Sequence, residues 1–175
     1  MKTKQLDLAL IMRKKLIARL FMLSQGFYTR WFKKQKEPWG ITKTELLAYP
    51  FGSLGLGLGQ FLERNNFDLI PKVERHDAYH VLLNFGIKEE DEIALQYLCL
   101  GNGKHSAYLA AVITIGTIVL PEYMRYYLRC YKVGKRLNTF YNLNYFPLLY
   151  ADLETLRHTI CTQEQLEELN TMTHE

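Results

Sequence analysis

From Leu6 to Leu23 apolar side chains recur at helical spacing, and the pattern predicts a first helix that stops near Ser24-Gln25-Gly26. A second piece is expected from Tyr28 to Lys36, and Pro38-Trp39-Gly40 reads as a turn. Thr42-Lys43-Thr44-Glu45 has the form of a capping box, and Ser53 is placed to cap a helix from Leu54 to Arg64 that Asn65-Asn66 ends. Pro71 suits the first turn of a helix through His76 and His80. The next helix opens on Glu89-Glu90-Asp91, where acids favour the positive end of the helix dipole, and closes at Gly101-Asn102-Gly103. Ala107–Leu120 is the longest mostly apolar run and is expected to be a buried central helix; Pro121 begins another, to about Val133. Two last helices fall near Leu148–Ile160 and Thr162–Asn170. Alternation of the strand type is essentially absent and no repeat is found, so the expected fold is all-α, with residues 1–175 in one domain.

The two ends of the chain differ in charge. Residues 1–36 hold ten Lys or Arg against Asp7 alone, whereas residues 151–175 hold six acids and one Arg. Basic residues interleaved with Leu10, Ile11, Leu16, Ile17, Leu20 and Phe21 make residues 1–36 basic amphipathic helices. Such helices lie in an anionic membrane interface; a core-packed helix with a solvated basic back reads equally well. These apolar residues argue against nucleic acid. No run reaches the ~20 residues a membrane span needs, and no small-residue cleavage site follows the basic start. Cys99, Cys130 and Cys161 form no C-x-x-C pair, which points to a reducing compartment and away from a thiolate zinc site. Tyr123, Arg125, Tyr126, Tyr127 and Arg129 open an aromatic and basic stretch that suits headgroup depth or a homodimer interface.

One stretch carries chemistry. His76-Asp77-Ala78-Tyr79-His80 is followed after eleven residues by Glu92. At ~100° per residue, His76 and His80 share a face one turn apart, and Asp77 lies ~60° from His80. Glu92 would return from the next helix after a short turn at Gly86, expected to be the left-handed residue that ends the first helix. The result is a helix–turn–helix clip with four ligands of the kind zinc accepts. Metalloproteases of this spacing need Glu where Asp77 stands, and His-Asp phosphohydrolases need a histidine upstream of His76. Gly55-Leu56-Gly57-Leu58-Gly59 lacks the preceding strand of a nucleotide loop; its glycines are expected to admit a neighbouring helix or a flat apolar ligand.

H-D-x-x-H followed after eleven residues by Glu resembles the hallmark of the Coq-four family of ubiquinone (coenzyme Q) biosynthesis proteins. The likeness extends to Tyr49-Pro50-Phe51-Gly52-Ser53-Leu54-Gly55, Phe61-Leu62, Val81-Leu82, Leu95-Gln96 and Asp152-Leu153-Glu154-Thr155-Leu156-Arg157, about residues 45–160. The chain departs from the family at Leu83-Asn84 and at Asp91. The resemblance implies a helical, peripheral membrane protein that binds a divalent metal through His76, Asp77, His80 and Glu92. Zinc is the expected metal; nitrogen and oxygen ligands also admit iron or manganese. It further implies oxidative decarboxylation and hydroxylation of a polyprenylated aromatic ring and an association with other quinone-pathway enzymes; if substrate displaces a carboxylate from the ion, Asp77 or Glu92 is then the expected base. Leu54, Leu56, Leu58 and residues 107–120 are candidates to line an isoprenoid groove. Two other readings stay open: a noncatalytic isoprenoid-binding scaffold stapled by the same ion, and a metal-dependent lipid hydrolase. The expected location is the inner face of a bacterial membrane, or the mitochondrial inner membrane in a eukaryote.

Overall fold

Helices supply the regular structure of this chain, because its apolar residues recur every three to four positions and its breaks carry caps. The computed structural model describes residues 2–31 and 37–172; in the first helix, side chains are described for residues 7–23. Among these residues the elements are α1 (Lys2–Trp31), α2 (Lys43–Leu47), α3 (Leu54–Arg64), α4 (Glu74–Leu83), α5 (Glu89–Gly101), α6 (Ala107–Val119), α7 (Met124–Gly134), α8 (Leu153–Ile160) and α9 (Gln163–Met172). No strand is found among them, only an isolated antiparallel bridge between Ser53 and Asp152. The all-α class is therefore as the periodicity predicts. Contacts fall into two compact units, Met1–Phe32 with Ile87–Arg136 and Lys33–Gly86 with Leu137–Glu175.

The first unit is built on α5. Ile93, Ala94, Leu95, Leu98 and Cys99 are fully buried on it, and α7 adds Tyr127, Cys130 and Val133. Tyr97 and Tyr127 stack with centroids 5.3 Å apart, and the Tyr97 and Thr117 hydroxyls are hydrogen-bonded at 2.8 Å. From α1, Ile17 enters the core, Arg13 donates to the Val119 carbonyl (2.9 Å) and Glu122 (3.0 Å), and Lys14 pairs with Glu90 at 2.7 Å. Three expectations change here. The break near Ser24-Gly26 is absent, because one glycine costs a helix only about 1 kcal/mol and α1 runs on to Trp31; residues 32–36 of the expected second piece lie outside the described residues. Residues 107–120 are not a buried central helix: only Leu109 and Gly116 of α6 are buried, while Ile115 is 45% and Ile118 73% exposed. The aromatic and basic stretch divides, with Tyr127 wholly in the core and Arg125 and Arg129 on the surface.

The second unit packs α2, α3, α4 and α8 around Leu46, Leu54, Leu58, Leu62, Ala78, Leu82, Phe140 and Leu149. Its caps form as expected. Thr42 and Glu45 make the reciprocal capping box, and Ser53 accepts from Leu56 N–H at 3.1 Å. The glycines of α3 do admit a neighbour: a Cβ on Gly59 would lie 2.9 Å from Leu47 N and 3.0 Å from Leu46 C. Leu54 and Leu58 are ordinary core rather than groove lining. Pro71 sits in the turn before α4 instead of its first turn.

Candidate metal centre

Helix α4 places the histidine pair. It ends at Asn84, whose φ of 48° and ψ of 44° are left-handed. Gly86 does not take that role; Asn is the residue after Gly that best tolerates this conformation. With Asn84 so turned, Phe85 N–H reaches the His80 carbonyl at 2.9 Å. The chain doubles back far enough that the Phe85 carbonyl also meets His80 Nδ1 at 3.3 Å. A carbonyl can only accept, so this contact places the proton on Nδ1 and leaves a lone pair on Nε2.

That lone pair points at His76. The two Nε2 atoms are 3.2 Å apart and the rings are nearly perpendicular, at 84°. Ligand nitrogens ~2.0–2.1 Å from a tetrahedral ion are about 3.3 Å from each other, so the pair already stands at the separation an ion requires. Without an ion, one proton between the nitrogens holds the same geometry. Phe61 stacks on His80 (5.6 Å, 15°), and His80 is 3% exposed. Tyr79, whose ring meets that of His76 edge-on with centroids 6.5 Å apart, is itself held by donating to the Tyr141 carbonyl at 2.7 Å.

Arg157 secures the end of this helix. From α8 it donates to the carbonyls of Val81 (2.7 Å) and Leu82 (3.1 Å), two of the groups a helix C-terminus leaves without intrahelical partners. The sequence singles out Arg157 only through a resemblance; its bracing role becomes visible once α8 is packed on α4. Phe85 and Asn84 also orient the site, and neither carries a sequence signal beyond the turn.

The four expected ligands are placed differently. His76 and His80 are brought together. Asp77 is half-buried in the first turn of α4. Glu92 belongs to the other unit, half-buried in the first turn of α5, where its N–H bonds the Lys88 carbonyl at 2.9 Å. Beside it Asp91 is buried and accepts from Lys88 N–H (3.1 Å) and the Tyr126 hydroxyl (3.0 Å). Burial raises the Asp91 carboxyl above the ordinary range, against the pull of those donors. None of the cysteines forms a disulfide, all three are buried, and desolvation pushes the Cys99 thiol up to about 11. Nothing there is poised as a nucleophile.

No family model matches the sequence, and no curated protein matches it. The fold has a relative among solved structures. The crystal structure of a protein of Nostoc punctiforme, provisionally described as a ubiquinone biosynthesis protein, aligns with a TM-score of 0.58 at 19% identity. The alignment covers 87% of this chain and 78% of that one.

Proposed function

We propose that this chain is a metal-dependent protein of quinone-lipid biosynthesis, acting on a polyprenylated aromatic ring by oxidative decarboxylation and hydroxylation. The observation that carries the reading is the His76–His80 pair, with Nε2 atoms 3.2 Å apart and His80 oriented by the Phe85 carbonyl. The fold shared with a protein described as belonging to ubiquinone biosynthesis supports the pathway. Asp77 and Glu92 are the remaining donors of this reading, on the sequence spacing of H-D-x-x-H followed after eleven residues by glutamate. The two imidazoles fit zinc, and with oxygen donors beside them they also fit iron or manganese. Such an ion, when bound, supplies Lewis acidity toward a carboxylate or a ring oxygen. His80 would present Nε2 because Phe85 holds its other nitrogen, and Asp77 or Glu92 would take the proton of the ring hydroxyl, leaving the electron-rich phenolate that reacts.

The polyprenyl tail calls for an apolar surface, and the first unit supplies one. No charged residue occurs in the thirteen of α6, and Ile115 and Ile118 are exposed. On α1, Leu8, Ile11, Met12 and Leu16 are exposed near the exposed Lys15 and Arg19. We place the anionic membrane surface against this apolar and basic face. No helix among the described residues is long and apolar enough to cross a membrane alone.

The test is conversion of a polyprenyl hydroxybenzoate under air with an added two-electron reductant, followed by mass spectrometry: the carboxyl leaves as carbon dioxide, one oxygen atom of dioxygen becomes the hydroxyl, and the other leaves as water. Metal-loaded wild type should replace the carboxyl by hydroxyl, and His80→Ala should not. A wild type that binds metal and substrate without converting it contradicts catalysis. That result favours a stapling role, which the burial of His80 beneath Phe61 would suit.

A further inference from the structure

We propose that a cleft at the start of α4 is a second binding site, for a small zwitterion carrying an ammonium group beside a phosphate or carboxylate. The cleft has a volume of about 400 Å³ and is lined by Trp39, Lys72, Glu74, Arg75, Asn144 and Phe146, among others. That size suits a small molecule. It belongs wholly to the second unit. Glu74 and His76 are two residues apart on one helix, so they lie ~160° from each other around its axis. The zwitterion and a metal ion therefore occupy different faces of α4.

Glu74 is the decisive group. It is only 4% exposed, yet it lines the cleft. One carboxylate oxygen accepts from Trp39 N–H at 3.0 Å. A carboxylate this deep calls for a cation to answer its charge. The rings of Trp39 and Phe146, 6.0 Å apart and inclined at 48°, give the same cleft an aromatic wall. A carboxylate with aromatic faces nearby is the combination that recognises an ammonium group. Arg75 supplies the opposite sign. Its contact with the Tyr141 carbonyl is long, 3.4 Å, and a guanidinium has five N–H donors with which to hold an anion as well. Glu37 and Glu74 balance Lys72 and Arg75 in formal charge. A simple anion would be opposed by Glu74, a simple cation by Arg75, and an apolar molecule would leave both unanswered.

The probe is phosphoethanolamine, titrated calorimetrically into the full chain. Saturable binding is expected. Glu74→Gln keeps an acceptor for Trp39 N–H while removing the charge, and should weaken binding about tenfold; Arg75→Gln should do the same. Inorganic phosphate should not be weakened by Glu74→Gln and should bind at least as well, because the opposing charge is gone. Circular dichroism identifies any variant that fails to fold, and either substitution alone suffices for the test. Phosphatidylcholine vesicles with and without phosphatidylethanolamine then separate the sources. Sedimentation that needs phosphatidylethanolamine and is reduced by Glu74→Gln assigns a lipid headgroup, and binding of the soluble probe alone assigns a free metabolite. No saturable binding of phosphoethanolamine, or binding unchanged in both variants, overturns the proposal.

Discussion

Replacing Gly134 by alanine should destabilise the protein even though alanine is the better helix former. Gly134 is the last residue of α7, and a Cβ there would be driven onto the Leu98 carbonyl oxygen, with Leu98 C at 3.0 Å and Asn102 N at 3.2 Å. These are backbone atoms of α5 and cannot rotate aside. The approach is reciprocal, since a Cβ on Gly101 would strike the Tyr131 carbonyl oxygen. Overpacking of this kind costs about 1–3 kcal/mol. The shift also strains the buried bond from Asn102 Nδ2 to the Gly134 carbonyl (3.2 Å), which contributes about 1 kcal/mol. Against this stands a propensity gain of at most about 1 kcal/mol, smaller at a helix end. A net loss of about 1–3 kcal/mol follows, measurable as a lower urea midpoint at unchanged slope. Gly57→Ala is the control. Its neighbours are methyl groups of Leu153 (3.1 Å) and Val81 (3.2 Å), which can give way, so its effect should stay within about 1 kcal/mol. A Gly134→Ala protein as stable as wild type, or more so, would refute the close approach of α5 and α7.

Other outcomes follow from the second unit. Arg157→Ala removes the side-chain donor from the Val81 and Leu82 carbonyls, leaving Val81 only its long bond from Asn84 N–H (3.4 Å), and should cost about 2 kcal/mol, seen as a lower melting temperature and faster amide exchange at the end of α4. Ser53→Ala removes the cap of α3 and should cost about 1 kcal/mol by urea denaturation. Asp152 caps α8, and the Thr155 N–H followed by its hydroxyl holds the Asp152 carboxyl below its ordinary value. The folded pKa is the depressed one, so this stabilisation is present above pH ~4 and is lost as pH falls through the folded pKa. Asp152→Asn should flatten that limb of a stability–pH curve; an unchanged limb would contradict the cap's charge dependence.

The sequence makes the helices and caps readable because each depends on residues close in the chain. Thr42, Ser53 and the acids at the start of α5 act within one turn of themselves. The exposure of α6 is not readable in this way: an apolar run has the same pattern whether core or surface covers it. The end of α4 is hidden for a related reason, since Gly86 and Asn84 both tolerate left-handed geometry and the choice between them is made by packing. At the candidate site, helical spacing brings His76 and His80 into view at once. The Phe85 carbonyl and Arg157 stay hidden, one because backbone groups have no sequence signature and the other because it is 75 residues from Leu82.

The most direct test of a metal-dependent quinone-lipid protein is elemental analysis of protein never exposed to chelator, beside Glu92→Ala and His80→Ala variants. About one zinc, iron or manganese ion per folded chain, falling sharply in both variants, is the predicted result. A correctly folded wild type that carries no metal and takes up none on addition would contradict it.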